Sequence, residues 1–139
     1  MSYNWNTRTE LLLGADRMEQ LAHSHVLVVG LGGVGAYAAE QICRAGMGHM
    51  TIVDADTVNE SNINRQLPAL HSTLGMPKVE VVARRLLDIN PRLKLNVLNE
   101  FLRDERTEEV LSATRYDFVV DAIDSLSPKA VSYTHLTLP

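Results

Sequence analysis

The chain has 139 residues, with 13 Lys and Arg against 17 Asp and Glu, 5 histidines and 1 cysteine. That length suits one domain, and a composition of 45% hydrophobic and 22% charged residues excludes a disordered chain. A lone cysteine without zinc-spaced partners excludes a disulfide-stapled scaffold, and a net charge of −4 argues against a generic nucleic-acid coat, leaving room for a local basic patch. The longest apolar runs, such as residues 26–29, are too short to span a bilayer. The first residues, Met-Ser-Tyr-Asn-Trp, carry no basic start followed by an apolar core. The expectation is a cytoplasmic protein with no membrane contact.

In chain order, residues 8–25 read as a helical lead-in with a loose 3.6-period stripe through Leu11, Leu12, Ala15, Met18 and Ala22. Val26, Leu27, Val28 and Val29 form a continuous apolar run, as in a parallel strand covered on both faces. The glycine turn Gly30-Leu-Gly-Gly-Val-Gly35 follows at once. Residues 36–45 are good helix formers, and Gly46 is a natural C-cap. Residues 50–54 read as a second strand.

Residues 55–76 are polar and irregular, and so long a loop in a compact domain is usually functional. Pro77 suits a first helical position. Val79, Val82, Ala83, Leu86 and Leu87 then trace an amphipathic helix, which Asn90-Pro91 stops. Alternation at Leu93, Leu95 and Val97 predicts a third strand. Residues 104–113 predict a short helix with Asp104 as N-cap, and residues 116–121 a fourth strand. Strand–helix alternation of this kind predicts an α/β fold, a Rossmann-like parallel sheet with flanking helices and right-handed crossovers, truncated after about the fourth strand. Residues 130–139 alternate weakly and stop. They are expected to be a junction sequence foreign to the protein, with a genuine edge strand as the alternative.

The glycine turn lies between a strand and a helix. Glycines allow the tight turn and let backbone N–H groups approach a phosphate, and the helix N-terminus adds its partial positive charge. Asp54, ending the second strand, stands where dinucleotide folds keep a ribose-binding carboxylate. To this point a nicotinamide or flavin enzyme stays open. Asp54-x-Asp56, Asn62-x-x-Arg65-Gln66 and Lys78 separate the options. A triphosphate needs cations around it; Arg65 supplies a planar fork and Lys78 a point charge, while Asn62 can donate to a phosphate oxygen. A lysine alone at a helix start is usually a solvated residue. It works against the helix dipole there, so a bound anion explains it better. Asp121-Ala-Ile-Asp-Ser125 closes the set, with Asp124 read either as a Mg²⁺ ligand or as a helix N-cap.

Together, Gly30-Leu-Gly-Gly-Val-Gly35, Asp54-x-Asp56, Ser61-Asn-Ile-Asn-Arg-Gln66, Pro77-Lys78 and Asp121-Ala-Ile-Asp-Ser125 resemble the adenylating superfamily. That group includes the ubiquitin-activating enzymes and the activators of sulfur-carrier proteins in thiamine and molybdopterin synthesis. The resemblance covers about residues 5–129. Within the group, Asn59-Glu-Ser-Asn-Ile-Asn-Arg-Gln66 and Val120-Asp-Ala-Ile-Asp124 are most similar to the tRNA threonylcarbamoyladenosine dehydratases; the sulfur-carrier activators commonly carry a Cys after the first Asp of the last motif.

The resemblance implies ATP and Mg²⁺ as cofactors. Gly30, Gly32, Gly33 and Gly35 would cradle the nucleotide, Asp54 would contact the ribose, and Asn62, Arg65 and Lys78 the phosphates. Asp56 and Gln66 belong to the same binding set, and Asp124 would hold the metal. Arg65, Lys78 and Arg8 are the implied catalytic residues, with Arg8 reaching a partner subunit's triphosphate; a plain surface arginine is its equal alternative. The implied reaction is adenylation of the threonylcarbamoyladenosine carboxylate in tRNA, followed by cyclisation. A homodimer and a sulfur-relay protein partner are also implied. The family continues well past Lys129, so the chain is expected to be an N-terminal fragment: a lead-in over 1–25, most of an ATP-binding part over 26–129, and a foreign tail.

Three other readings stand beside this one: an activator of a small sulfur-carrier protein, a nucleotide-binding module without catalysis and, more distantly, a nicotinamide oxidoreductase. Cys43 is expected in the core rather than as a nucleophile. His23 and His25 are expected to serve structure or surface, and Trp5 to anchor the lead-in. Arg84, Arg85, Arg92 and Lys94 are expected to be a solvated face before a tRNA surface.

Overall fold

In the computed structural model residues 4–123 are described, and the fold is built around the apolar run that follows the lead-in. Strand β1 (His25–Val29) is buried along its whole length. It pairs with β2 (His49–Val53) on one side and β4 (Phe118–Asp121) on the other, and β3 (Lys94–Leu98) lies beyond β2. All three pairings are parallel, in the order β3-β2-β1-β4. A parallel strand with neighbours on both sides and helices over both faces has no solvent side, which is why β1 is apolar without alternation. At β3, on the sheet's edge, only Leu95 and Leu98 are half-buried and the rest is exposed.

Helices α3 (Gly35–Ala45) and α4 (Lys78–Ile89) cover one face. There Val26, Val28, Met50 and Ile52 pack with Ala36, Ala39, Cys43, Val79, Val82 and Leu86. The amphipathic stripe on α4 is therefore the core stripe, with Leu87 exposed at its margin. Helix α5 (Asp104–Ser112) covers part of the other face, where Leu27, Val29 and Val53 meet Leu102 and Val110. Gly46 ends α3 in the left-handed region at φ 112°, as a C-cap glycine permits. Cys43 is a core residue, and burial pushes its thiol up to about 11, too high for a nucleophilic thiolate. Among the described residues no helix is long and apolar enough to cross a membrane.

Several expectations change. The lead-in is two helices, α1 (Thr7–Leu13) and α2 (Ala15–Ala22), because Gly14 at φ 89° breaks the run. The apolar stripe read across that break is not a buried face: Leu11 and Leu12 are exposed. Trp5, expected to anchor the lead-in, is half exposed. The end of α2 is fixed instead through Gly48, whose N–H donates to Leu21 O at 2.9 Å. A Cβ on Gly48 would come within 1.8 Å of Ala22 O, so only glycine allows that approach. His25 belongs to β1 rather than preceding it, and β2 begins at His49. Pro77 holds the N-cap position of α4, one residue before the helix. Asp104 is not the N-cap of α5: Arg103 is, and Asp104 opens the helix at φ 43° with no capping side chain. Arg85 is not simply solvated, since its guanidinium pairs with the buried Glu40 carboxylate and ties α4 to α3.

Candidate functional site

The strand order places a topological switch beside β1. The chain steps outward from β1 to β2 and β3, then returns to β1's other side as β4. Ligands of open parallel sheets bind beyond the carboxyl ends of the strands at such a switch. A cleft of about 590 Å³ lies there, lined by Gly30 and Gly32 after β1, Asp54 and Asp56 after β2, residues 100–104 after β3, and Ala122 and Ile123 after β4.

The glycine turn is tight for identifiable reasons. Gly30 sits at φ 93°, and a Cβ on it would lie 2.8 Å from Ala122 O. A Cβ on Gly35 would lie 1.6 Å from Gly30 O, so the first turn of α3 packs directly on the turn that precedes it. Gly32 differs, because a Cβ there would meet only the Gln66 side chain, at 3.5 Å. A Cβ at Gly32 would thus be in ordinary contact only, and the residue lines the cleft. No side chain caps the first turn of α3, leaving its N–H groups for a ligand or water.

Asp54 organises the strand ends. Its Oδ2 accepts the Leu31 N–H at 2.7 Å and its Oδ1 the Asp56 N–H at 2.7 Å. One carboxylate thereby fixes both the glycine turn and the exit from β2. The loop that follows folds back on itself. Thr57 bridges Pro77, Val58 N–H donates to Met76 O at 2.9 Å, and Lys78 N–H donates to Asp56 O at 3.0 Å. The return brings Lys78 into the cleft. Lys78 is only 5% exposed, and its Nζ stands 4.0 Å from Asp56 Oδ2, a carboxylate that is itself largely solvated. A buried ammonium with so loose a counter-charge needs an anion. Gln66 Oε1 is likewise buried without a hydrogen-bond partner among the described residues.

The structure thus gathers Gly30, Gly32, Asp54, Asp56, Gln66 and Lys78 around one cleft. The remaining expected residues stand elsewhere. Gly33 and Gly35 lie outside the cleft wall, and Gly35 serves close packing. Arg65 is beside the turn, its Cγ 3.9 Å from where a Cβ on Gly33 would be. Its guanidinium donates to Ser61 O at 3.1 Å and Asn64 Oδ1 at 2.8 Å. Asn62 is buried, and its Oδ1 accepts the Asn59 N–H at 2.9 Å, so that oxygen orders the loop. Arg8 is exposed on α1. Asp124 and residues 130–139 lie outside the described residues. Among the described residues no group of three His, Cys, Asp or Glu side chains converges as a metal site. The wall formed by residues 100–104 was missed from the sequence; the carboxyl end of the third strand was the signal that could have found it.

Residues 3–131 match the ThiF family. The chain belongs to the ThiF family. Among ThiF relatives, it is 40% identical over 129 residues to the tRNA threonylcarbamoyladenosine dehydratase of Escherichia coli strain K12, covering 91% of this chain and 48% of that protein. It is 42% identical over 123 residues to the Bacillus subtilis strain 168 enzyme of the same name, covering 88% and 48%. The molybdopterin-synthase adenylyltransferase of Haemophilus influenzae is 38% identical over 111 residues, covering 80% and 45%. The crystal structure of the E. coli dehydratase, TcdA, in complex with ATP superposes with a TM-score of 0.86 at 39% identity, over 93% of this chain and 54% of that one. The chain spans about half the length of the curated relatives it matches. These relatives are enzymes by name, and the ThiF fold accounts for the parallel sheet and its glycine turn.

Proposed function

We propose that the protein takes part in ATP-dependent activation of the threonylcarbamoyladenosine carboxylate in tRNA, leading to cyclisation by dehydration. The observation that carries this reading is the buried Lys78 ammonium facing the glycine-lined cleft. Likeness to the dehydratases of E. coli and B. subtilis, and to TcdA structures in complex with ATP and with AMP, supports the choice of reaction.

The cleft's chemistry suits a nucleotide. The glycine turn lining the cleft and the uncapped first turn of α3 offer N–H donors to phosphate oxygens. Asp54 holds the turn in shape from one side, and Lys78 places a positive charge in a poorly hydrated wall, where it acts more strongly than in water. A carboxylate oxygen of the substrate attacks the α-phosphorus, the bond to the bridging oxygen breaks, and its electron pair leaves with pyrophosphate. Ring closure on the activated carboxyl carbon then expels AMP. No protein nucleophile is needed in the first step; alignment and charge stabilisation suffice. Mg²⁺, with Asp124 as ligand, would supply further neutralisation of the phosphates.

The same reading includes a homodimer in which Arg8 serves the partner's site, a sulfur-relay protein partner and a cytoplasmic setting. It takes residues 1–25 as a lead-in, 26–129 as the ATP-binding part and 130–139 as foreign. Pyrophosphate exchange by the whole natural chain tests the function. Exchange that requires tRNA bearing threonylcarbamoyladenosine is expected. Exchange that requires a small ubiquitin-like carrier protein instead would favour the sulfur-carrier reading, which the molybdopterin-synthase adenylyltransferase relative supports.

A further inference from the structure

We propose that Asp54 is a positioning residue for the phosphates of the nucleotide, its carboxylate strapping the glycine turn to Lys78. The inference rests on the nucleotide reading of the cleft and holds whichever carboxylate is activated. The N–H donors of the turn and the Lys78 ammonium lie on separate elements, the entry to α3 and the first residue of α4. A ligand bearing several charges needs both at fixed positions at once. Lysine is a point charge on a flexible stem, so its backbone anchor decides where the charge stands.

The anchor is a short chain of bonds. Asp54 Oδ2 accepts the Leu31 N–H inside the turn, and Oδ1 accepts the Asp56 N–H, both at 2.7 Å. These are short bonds to a charged acceptor, the stronger kind for an N–H donor. Asp56 O then accepts the Lys78 N–H at 3.0 Å, and Asp56 Oδ2 lies 4.0 Å from Lys78 Nζ. Thr57 bridges Pro77 beside that bond. One carboxylate therefore sets the turn and, through the Asp56 backbone, the start of α4. The family resemblance implies a ribose contact for Asp54. A carboxylate oxygen that accepts one N–H keeps a further lone pair, so a ribose hydroxyl can be accepted as well. The strap is a second role, and it acts on the phosphates whether or not the sugar offers hydroxyls.

The test measures the affinity of the whole natural chain and of its Asp54→Asn variant for Mg²⁺–ATP and for Mg²⁺–dideoxy-ATP, which lacks both ribose hydroxyls. An asparagine can still meet a ribose hydroxyl, but it accepts at one oxygen only, so half of the strap is lost. The strap predicts that Asp54→Asn weakens both nucleotides alike, by about 10-fold or more. It also predicts a smaller loss from Asp54→Asn in the Lys78→Met background, where the ammonium to be positioned is gone. A loss confined to ATP makes Asp54 a ribose contact only and overturns the proposal, as does unchanged affinity for both nucleotides. Losses that add fully with Lys78→Met overturn the link to Lys78. Circular dichroism checks the fold, and Asp54→Ser, with one shorter acceptor, replaces the asparagine variant if that variant does not fold. If neither folds, Asp54 is a requirement of the fold and its binding role falls. An unaltered chain that binds neither nucleotide is the separate failure of the nucleotide reading, and the strap falls with it.

Discussion

The two ends of the same four strands solve opposite problems. At the amino ends, polar side chains satisfy one another. His25 Nε2 lies 2.7 Å from Thr51 Oγ1, and Asn96 Nδ2 reaches both Thr51 Oγ1 at 3.3 Å and His49 Nε2 at 3.1 Å. The His25 and His49 rings stack at 3.5 Å and 4°, with Tyr116 tilted against His25. At the carboxyl ends, Gln66 Oε1 and Asp121 Oδ2 are buried without a partner among the described residues, and Lys78 has only a distant counter-charge. A polar cluster that closes on itself is structure, whereas one that leaves donors and acceptors unspent is prepared for a ligand. The comparison also separates two kinds of perturbation. Burial, then the neighbouring His49, pushes His25 down to about 4, against the opposing pull of Asp117 and a backbone bond at Arg115. Burial and Lys94 lower His49 as well. These shifts mark the closed end, so a shifted histidine is no guide to the site here.

Removing the ligand-facing charge should have the largest effect. Lys78→Met keeps the buried stem and deletes the ammonium. It should lower ATP-dependent turnover of the whole chain about 10²–10³-fold with an unchanged circular dichroism spectrum and melting point. Unchanged turnover would place Lys78 on the structural side of the comparison. Next comes Gly35→Ala, where the new methyl would collide with Gly30 O. A loss of about 3 kcal/mol of stability is expected, seen as a lower denaturant midpoint, and wild-type stability would mean the turn can open without cost.

A smaller effect is expected at the clamp between α3 and α4. Arg85→Ala strips the main partner from the buried Glu40, with Arg44 still 3.6 Å away, and should cost about 1–2 kcal/mol. Glu40→Gln in the same background should recover part of that loss. The closed end should make stability depend on pH only in acid. His25 is held neutral in the fold well below its ordinary value of 6.5, so the unfolded chain takes up the proton first. Its contribution to stability is full above about pH 6.5 and is lost as pH falls toward 4. Stability curves across that window should flatten in His25→Asn; an unchanged slope would show that the stacked pair does not control acid lability.

Much of this comparison was legible in the sequence. Glycines that must approach backbone closely announce themselves, because no other residue fits at Gly30 or Gly35. The continuous apolar run of β1 and the stripe of α4 report burial directly. The break at Gly14 was missed because apolar spacing carries across a two-helix joint as readily as along one helix. The sequence shows that the Asn62 amide can donate, and does not reveal that its oxygen closes a local turn at Asn59. The cleft wall at residues 100–104 carries no motif at all. Its place comes only from the burial of Leu102 and from where β3 ends. The histidine cluster was equally silent, since His25, His49 and Tyr116 meet only through the register of separate strands.

On the proposed function, the carboxyl-end cleft holds a triphosphate nucleotide. Side-by-side calorimetric titrations of the whole natural chain with ATP–Mg²⁺ and with NADH test it most directly. Saturable ATP binding that AMP displaces, that Lys78→Met weakens and that NADH does not compete with is the predicted result. Tight NADH binding with no response to ATP would overturn that assignment.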